Sequence, residues 1–199
     1  YYLDFETLGS AIPVYPGTRP FQRIPFQWSI HHLDHDGNLT HQEFLPEDSS
    51  DPRRPLAEAM IKSLGNGQEP IVVYTSYEAG VIRDLAYHFP DLAQPLNNIL
   101  DRLQDLHKLV RDHFYQPDFG GSFSIKAVGP AMVPDLGYDQ LEGIAEGMAA
   151  AGAFYALATD QLQPDQDPAA LRQALLDYCK LDSLAMFKVH QALIAKVGN

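Results

Sequence analysis

The sequence predicts an α/β fold, a mixed central sheet with an antiparallel meander at one side and helices flanking it. Three observations predict this. The stretch up to Leu45 reads as one strand and a hairpin, a short β-branched run at Ile71–Tyr74 lies between helical patterns, and the rest is mostly helical.

In chain order, YYLDFE reads as a strand with no breaker before Gly9. A loop rich in Pro, Gly and Arg follows from Gly9 to Pro20. IPFQWSIHHLDHDGNLTHQEFL then reads as two strands joined at Asp36-Gly37-Asn38, hairpin chemistry. Asp51-Pro52 supplies an N-cap and first turn for a helix that reaches Leu64 and ends at Gly65. EPIVVYTS is a central strand bounded by Pro70, and TSYEAGVIRDLAYHF is a helix with an apolar stripe of Val81, Ile82, Leu85, Ala86 and Phe89. Pro90 and Pro95 break the chain before LNNILDRLQDLHKLVRDHF, a single further helical pattern. GGSFSIKAVGPAMVPDLGYDQ reads as loop with a short helical turn, and YDQLEGIAEGMAAAGAFYAL as an alanine-rich helix. The last and longest helix runs from Asp167 to Val197, with Asp167-Pro168 as its cap and first position.

The chain of 199 residues, 45% hydrophobic, reads as one domain over 1–199. It contains no run near the ~18 apolar residues that a bilayer span needs, so no membrane is expected as a partner. No secretory signal is visible. It begins without Met in what reads as a core strand, which points to a piece of a longer protein whose other domains would be partners. Its single cysteine, Cys179, excludes an internal disulfide and a Cys-based zinc site and suggests a reducing, cytoplasmic setting. The net charge of −12 argues against a broadly basic nucleic-acid surface, but not against an enzyme that meets phosphates through bound cations.

Three pieces carry acids where apolar residues are expected. On the first strand Asp4 and Glu6 share one face, Leu3 and Phe5 the other. This is a wet face or a half-site for divalent cations. In YCKLDSLAM, Tyr178 and Asp182 lie one helical turn apart, on a face continued by Ala185, Met186, Val189 and Leu193. An acid there needs a partner, which an ordinary Lys or Arg could also supply. Glu78 sits where a strand turns into a helix, a ligand position in α/β sheets and equally a favourable place in the helix dipole. Asp105, in RLQDLHKLV, is a further acid that says little alone.

Taken together, D-x-E on a first strand, an acid after a later strand and Y-x3-D on a late helix resemble the DEDD family of 3'-5' exonucleases, tyrosine subtype. Its fold is ribonuclease-H-like, with which the expected topology is compatible. More closely, nearly the whole chain resembles a bacterial domain family of uncharacterised function, through YYLDFET, IPFQWS, VVYTSYE, RLQDL, GSFSIK and YCKLDSLAM. By position the resemblance implies metal ligands Asp4, Glu6, Glu78 and Asp182, with Tyr178 orienting the attacking water. The histidine subtype would need His where Asp177 stands. The second motif departs from the family pattern: Thr75-Ser76-Tyr77-Glu78 replaces an Asn followed by Phe-Asp. Asp105 is implied to support the site from behind and Lys126 to approach phosphate. Thr7, Leu8 and Gly9 are expected near the terminal nucleotide, and Arg19 and Arg23 are further expected phosphate contacts that no motif marks.

The implied activity is hydrolysis of phosphodiester bonds at a DNA or RNA 3' end with two Mg2+ or Mn2+ ions about 3.5–4 Å apart. Two other functions stay open. One is a nuclease-like domain without catalysis, acting as a binding or scaffolding module. The other is a metal-dependent transferase that uses D-x-E, against which the Y-x3-D pair argues. His31, His32, His35 and His41 read as polar residues around the hairpin turn rather than as a metal site. Gly120-Gly121-Ser122 lacks the P-loop pattern, and Cys179 reads as a small buried apolar residue.

Overall fold

The computed structural model describes every residue except 139, 140, 142, 143, 145, 198 and 199. Its strands are β1 (Tyr2–Leu8), β2 (Ile24–Leu33), β3 (Leu39–Phe44), β4 (Ile71–Val73) and β5 (Leu103–Asp105). Its helices are α1 (Arg53–Leu64), α2 (Tyr77–His88), α3 (Ala93–Leu100), α4 (Leu106–His113), α5 (Ile125–Met132), α6 (Gly147–Ala158) and α7 (Pro168–Val197). The strands form one mixed sheet in the order β3-β2-β1-β4-β5. The first three are an antiparallel meander, while β4 and β5 run parallel to β1.

Strand alternation divides β1 between two layers of helix. Leu3 and Phe5, with Trp28, Ile30, Ile71 and Val73, pack against α1, α2 and α3. Tyr2, Val72 and Tyr74 face α4, α5 and α7 on the other side. Along β2, alternation would put Ile24, Phe26, Trp28 and Ile30 on one face. The pairing instead slips between Glu6 and Thr7, whose partners are Gln27 and Pro25. This bulge turns Ile24 and Phe26 toward α6, where the Phe26 and Phe154 rings stack at 4.0 Å. Pro25, which has no N–H to donate, is tolerated at such an irregularity.

The hairpin turns where its Asp-Gly-Asn chemistry requires. Asp34 Oδ1 accepts from the N–H of Asp36 and Asn38, and Gly37 takes φ 85°. At α1, Asp51 Oδ1 accepts from Arg53 N–H and its carboxylate clasps the Arg53 guanidinium.

The expected single helix after Pro95 is two, α3 and α4, separated by β5. Leu103, Gln104 and Asp105 pair with Ile71, Val72 and Val73, and Arg102 donates to Glu69 O at 2.8 Å, which ties the strand into the sheet. Helical periodicity cannot reveal a three-residue strand that owes its shape to a neighbour. Pro95 does not break the chain either. It sits in the first turn of α3, where its missing N–H has no helical partner to lose. The short turn expected near Lys126 is a full helix, α5. The alanine-rich helix starts only at Gly147, and part of its expected first half lies outside the described residues. Among the described residues, no helix is long and apolar enough to cross a membrane.

α7 docks on the sheet through polar groups as well as apolar ones. Gln27 Nε2 donates to Leu175 O at 2.8 Å, and Ser183 Oγ bonds both Ser29 Oγ at 2.7 Å and His31 Nδ1 at 2.8 Å. His31 therefore belongs to a helix-docking network rather than to the turn, and His41 joins it through its Nε2, 2.9 Å from Ser29 Oγ. Burial holds both imidazoles down to about 4, so both are neutral at pH 7. Ser183→Ala removes the partner of a buried imidazole nitrogen. It is expected to cost about 1–3 kcal/mol in equilibrium urea unfolding. An unchanged midpoint would mean that α7 docks without this contact.

Candidate functional site

The acids meet at the carboxyl end of β1. β4 runs parallel to β1, so its carboxyl end delivers the strand-to-helix turn to the same edge, the usual ligand position of such sheets. That turn is strained: Thr75 holds φ 128°, a rare conformation for a β-branched residue. Thr75 Oγ1 accepts from Tyr77 N–H at 3.1 Å, and the Thr75 side chain favours the charged form of Glu78 against the effect of burial. Thr75 thus shapes the turn from which Glu78 follows. α7 crosses above, and its 3.6-residue period places Tyr178, Cys179 and Asp182 over β1.

Glu6, Glu78 and Asp182 are buried and Asp4 is half-buried. Ligand atoms of Asp4, Glu6 and Cys179 lie within 4.8 Å of one another. Among the described residues Asp182 and Glu78 stand outside that tight trio and act on it through their charge. Burial, then repulsion from Asp182, Glu6 and Glu78, holds the Asp4 carboxyl well above the usual range. Glu6 is pushed up to about 8 by burial and then by Asp182, with Lys126 opposing. Glu78 reaches about 7, again chiefly by burial. Its Oε2 has no hydrogen-bond partner among the described residues.

Asp182 is raised less freely. Burial lifts it, while a hydrogen bond from the Tyr138 hydroxyl to Oδ1 at 2.5 Å, Lys126 and Tyr178 hold it down. Lys126 Nζ donates to the Tyr178 hydroxyl at 2.7 Å. Burial and then Asp182 keep both tyrosine hydroxyls protonated. Gly147, the first residue of α6, leaves room at the centre: a Cβ there would lie 3.7 Å from Glu6 Oε2 and 4.0 Å from the Tyr178 hydroxyl.

Asp105 caps α4 by accepting from Lys108 N–H at 3.0 Å, and its charge reaches Glu78. Thr7 bonds the Tyr77 hydroxyl, and a pocket of about 660 Å³ is lined by Glu6, Thr7, Leu8, Gly9, Tyr77 and α6. The Leu8 side chain is mostly core. Arg23 is paired with Asp84 at 2.7 Å, while Arg19 lines a neighbouring groove. Three participants escaped the sequence reading. Tyr138 stands where the expected loop and the expected alanine-rich helix overlap, with no motif to mark it, and Gly147 is inside the alanine-rich run. Cys179 is buried as expected, but its thiol also donates to Asp4 Oδ2 at 3.6 Å. Its place three residues before Asp182 was the available signal.

The fold and site define an α/β domain with a buried multi-carboxylate centre beside a helical tyrosine. Residues 1–124 match the model of a Domain of unknown function (DUF2779), and the chain belongs to that family. No curated protein and no solved structure was found to match the chain.

Buried acids that keep their protons make stability depend on pH. Glu6 and Glu78 hold protons up to about 8 and about 7 when folded, against 4.5 ordinarily. The folded state therefore binds more protons than the unfolded one between these values, and stability falls as pH rises through them. In a chelator, Tm should drop from pH 5 to pH 8, Mn2+ at pH 8 should restore it, and Asp182→Asn should reduce both effects. A flat or rising Tm in the chelator would contradict the protonated burial of Glu6 and Glu78 described above.

Proposed function

We propose that this domain is a divalent-cation-dependent 3'-5' exonuclease of ribonuclease-H-like fold, with a tyrosine-type DEDD site that hydrolyses phosphodiester bonds at DNA or RNA ends. The observation that carries the proposal is that Asp4 and Glu6 of β1 lie within charge reach of Glu78 at the start of α2 and of Asp182 on α7, with the Tyr178 hydroxyl close enough to feel Asp182, Glu6 and Asp4. The sheet order, three antiparallel strands continued by two parallel ones, supports the fold reading.

The donor set fits two Mg2+ or Mn2+ ions: hard carboxylate oxygens, an unpartnered Glu78 Oε2 and the space beside Gly147. Asp4, Glu6, Glu78 and Asp182 would hold such ions, which would supply the activation of water and the stabilisation of charge on the phosphate oxygens. The chain's own residues do the rest. Tyr178 offers a protonated hydroxyl to orient the attacking water, and Lys126 fixes that hydroxyl and adds positive charge near the phosphate. Tyr138 sets the Asp182 rotamer, the Cys179 thiol orients Asp4, and Thr7 with the Leu8 backbone borders the terminal nucleotide. A free, buried thiol suits the reducing, cytoplasmic setting we infer.

A 5'-labelled oligonucleotide should be shortened stepwise from its 3' end in Mn2+. Asp182→Ala should abolish this, and Tyr178→Phe should slow it by roughly 10²-fold. If wild type and variants alike leave the strand intact, the domain is better read as a nuclease-like binding module.

A further inference from the structure

We infer that the groove beside the carboxylates, where exposed Phe21 and Tyr87 stand with Arg19 and Arg23, holds the unpaired nucleotides of a single strand whose 3' end enters the site. The direction assigned to the strand rests on the exonuclease reading. The groove itself does not.

The groove encloses about 860 Å³ and is lined by Thr7, Arg19, Phe21, Arg23, Tyr77 and Tyr87, among others. Thr7 and Tyr77 also line the pocket that contains Glu6, so the two spaces meet at the Thr7–Tyr77 hydrogen bond. Phe21 is 74% exposed, Tyr87 84% and Tyr77 42%. Isolated exposed rings are ordinary on a protein surface. Three lining one groove beside two arginines, in a chain of net charge −12, are not a random sample of this surface.

Phe21 is the most telling. It follows Pro20 in a turn closed by Gln22 N–H donating to Arg19 O at 3.0 Å, and its φ is 58°. That position of a turn favours glycine, because a Cβ there is strained. The turn is pinned on both sides. Phe21 N–H donates to Ser10 O at 2.8 Å, and Gln22 Nε2 bonds His88 Nε2 at 2.8 Å on α2. A bulky ring is thus held in an unfavourable backbone conformation with little burial to compensate. Strain of this kind persists where something other than folding selects the side chain.

Arg19 has no side-chain partner among the described residues and is available to a phosphate. Arg23 lies 4.9 Å from the Tyr77 ring centroid, with Asp84 beside it. A Cβ on Gly80 would come within 2.8 Å of that guanidinium, so the bare helix surface there makes room for it. Rings that stack on bases, interleaved with a few cations, suit unpaired nucleotides. A duplex hides its base faces, and its two phosphate rows would meet an acidic surface.

The test is fluorescence anisotropy in Mg2+ with ten-nucleotide oligo-dT and oligo-U, made with phosphorothioate linkages so that they persist, and with a blunt duplex of equal length. Either single strand should bind at least about tenfold more tightly than the duplex, with a log–log salt slope of magnitude about 1–2. Phe21→Gly and Tyr87→Ala should each weaken single-strand binding about tenfold. Phe21→Gly should at the same time leave Tm unchanged or raised, since it relieves the turn. The proposal is overturned if neither strand binds, if the duplex binds equally well, or if the ring variants bind like wild type. Groove variants that bind normally, on a protein that shortens strands, reject the groove alone. Ring-dependent binding on a protein that never shortens them rejects the exonuclease reading alone.

Discussion

The arrangement depends on keeping several carboxylates close together in a place with little water. Asp4 and Glu6 repel each other and Asp182, and burial adds to the penalty on every charge. A strand can impose this only if its position is fixed by other contacts. β1 is fixed by its opposite face, where Leu3 and Phe5 are buried among Trp28, Ile30 and residues of α1 to α3. The same alternation that sends these two side chains inward sends the two acids to the other face. One face supplies apolar burial, and the other carries groups that could not fold alone.

The second requirement is that α7 hold its register. A 30-residue helix over a sheet could slide or rotate if only smooth apolar surface met it. Ser29, His31 and Gln27 instead bond specific atoms of α7. Because both imidazoles of the network stay neutral, it adds no charge to an already acidic interior. A shift of one residue along α7 would rotate Asp182 by about 100° away from β1. The polar contacts of β2 are therefore a structural condition for the site on β1.

Much of this was legible in the sequence for identifiable reasons. β1, the hairpin, α1, α2 and α7 each carry a local signal: alternation, an Asp-Gly-Asn turn, a capping pair or a helical stripe. The Tyr178–Asp182 pair was visible because an acid broke an apolar face. β5 was not legible, since its three residues are extended only because β4 and Arg102 hold them. Tyr138 and Gly147 were not legible, since each acquires meaning from what the fold brings to it across the chain. The Phe26 bulge hides for the same reason: its sequence reads as regular alternation, and only pairing with β1 reveals the slip. The histidines show the opposite error, a cluster read from its nearness to a turn although two members point into a helix interface.

Trp28 offers an experimental convenience that follows from this two-sided design. It is the sole tryptophan, 2% exposed, and its Nε1 donates to Leu56 O at 3.1 Å. It pairs with Phe5 on the face turned away from the acids. The protein thus carries an intrinsic fluorophore on one side of the sheet and its ionisable centre on the other. Its emission reports whether the apolar half is assembled while the acidic half is titrated.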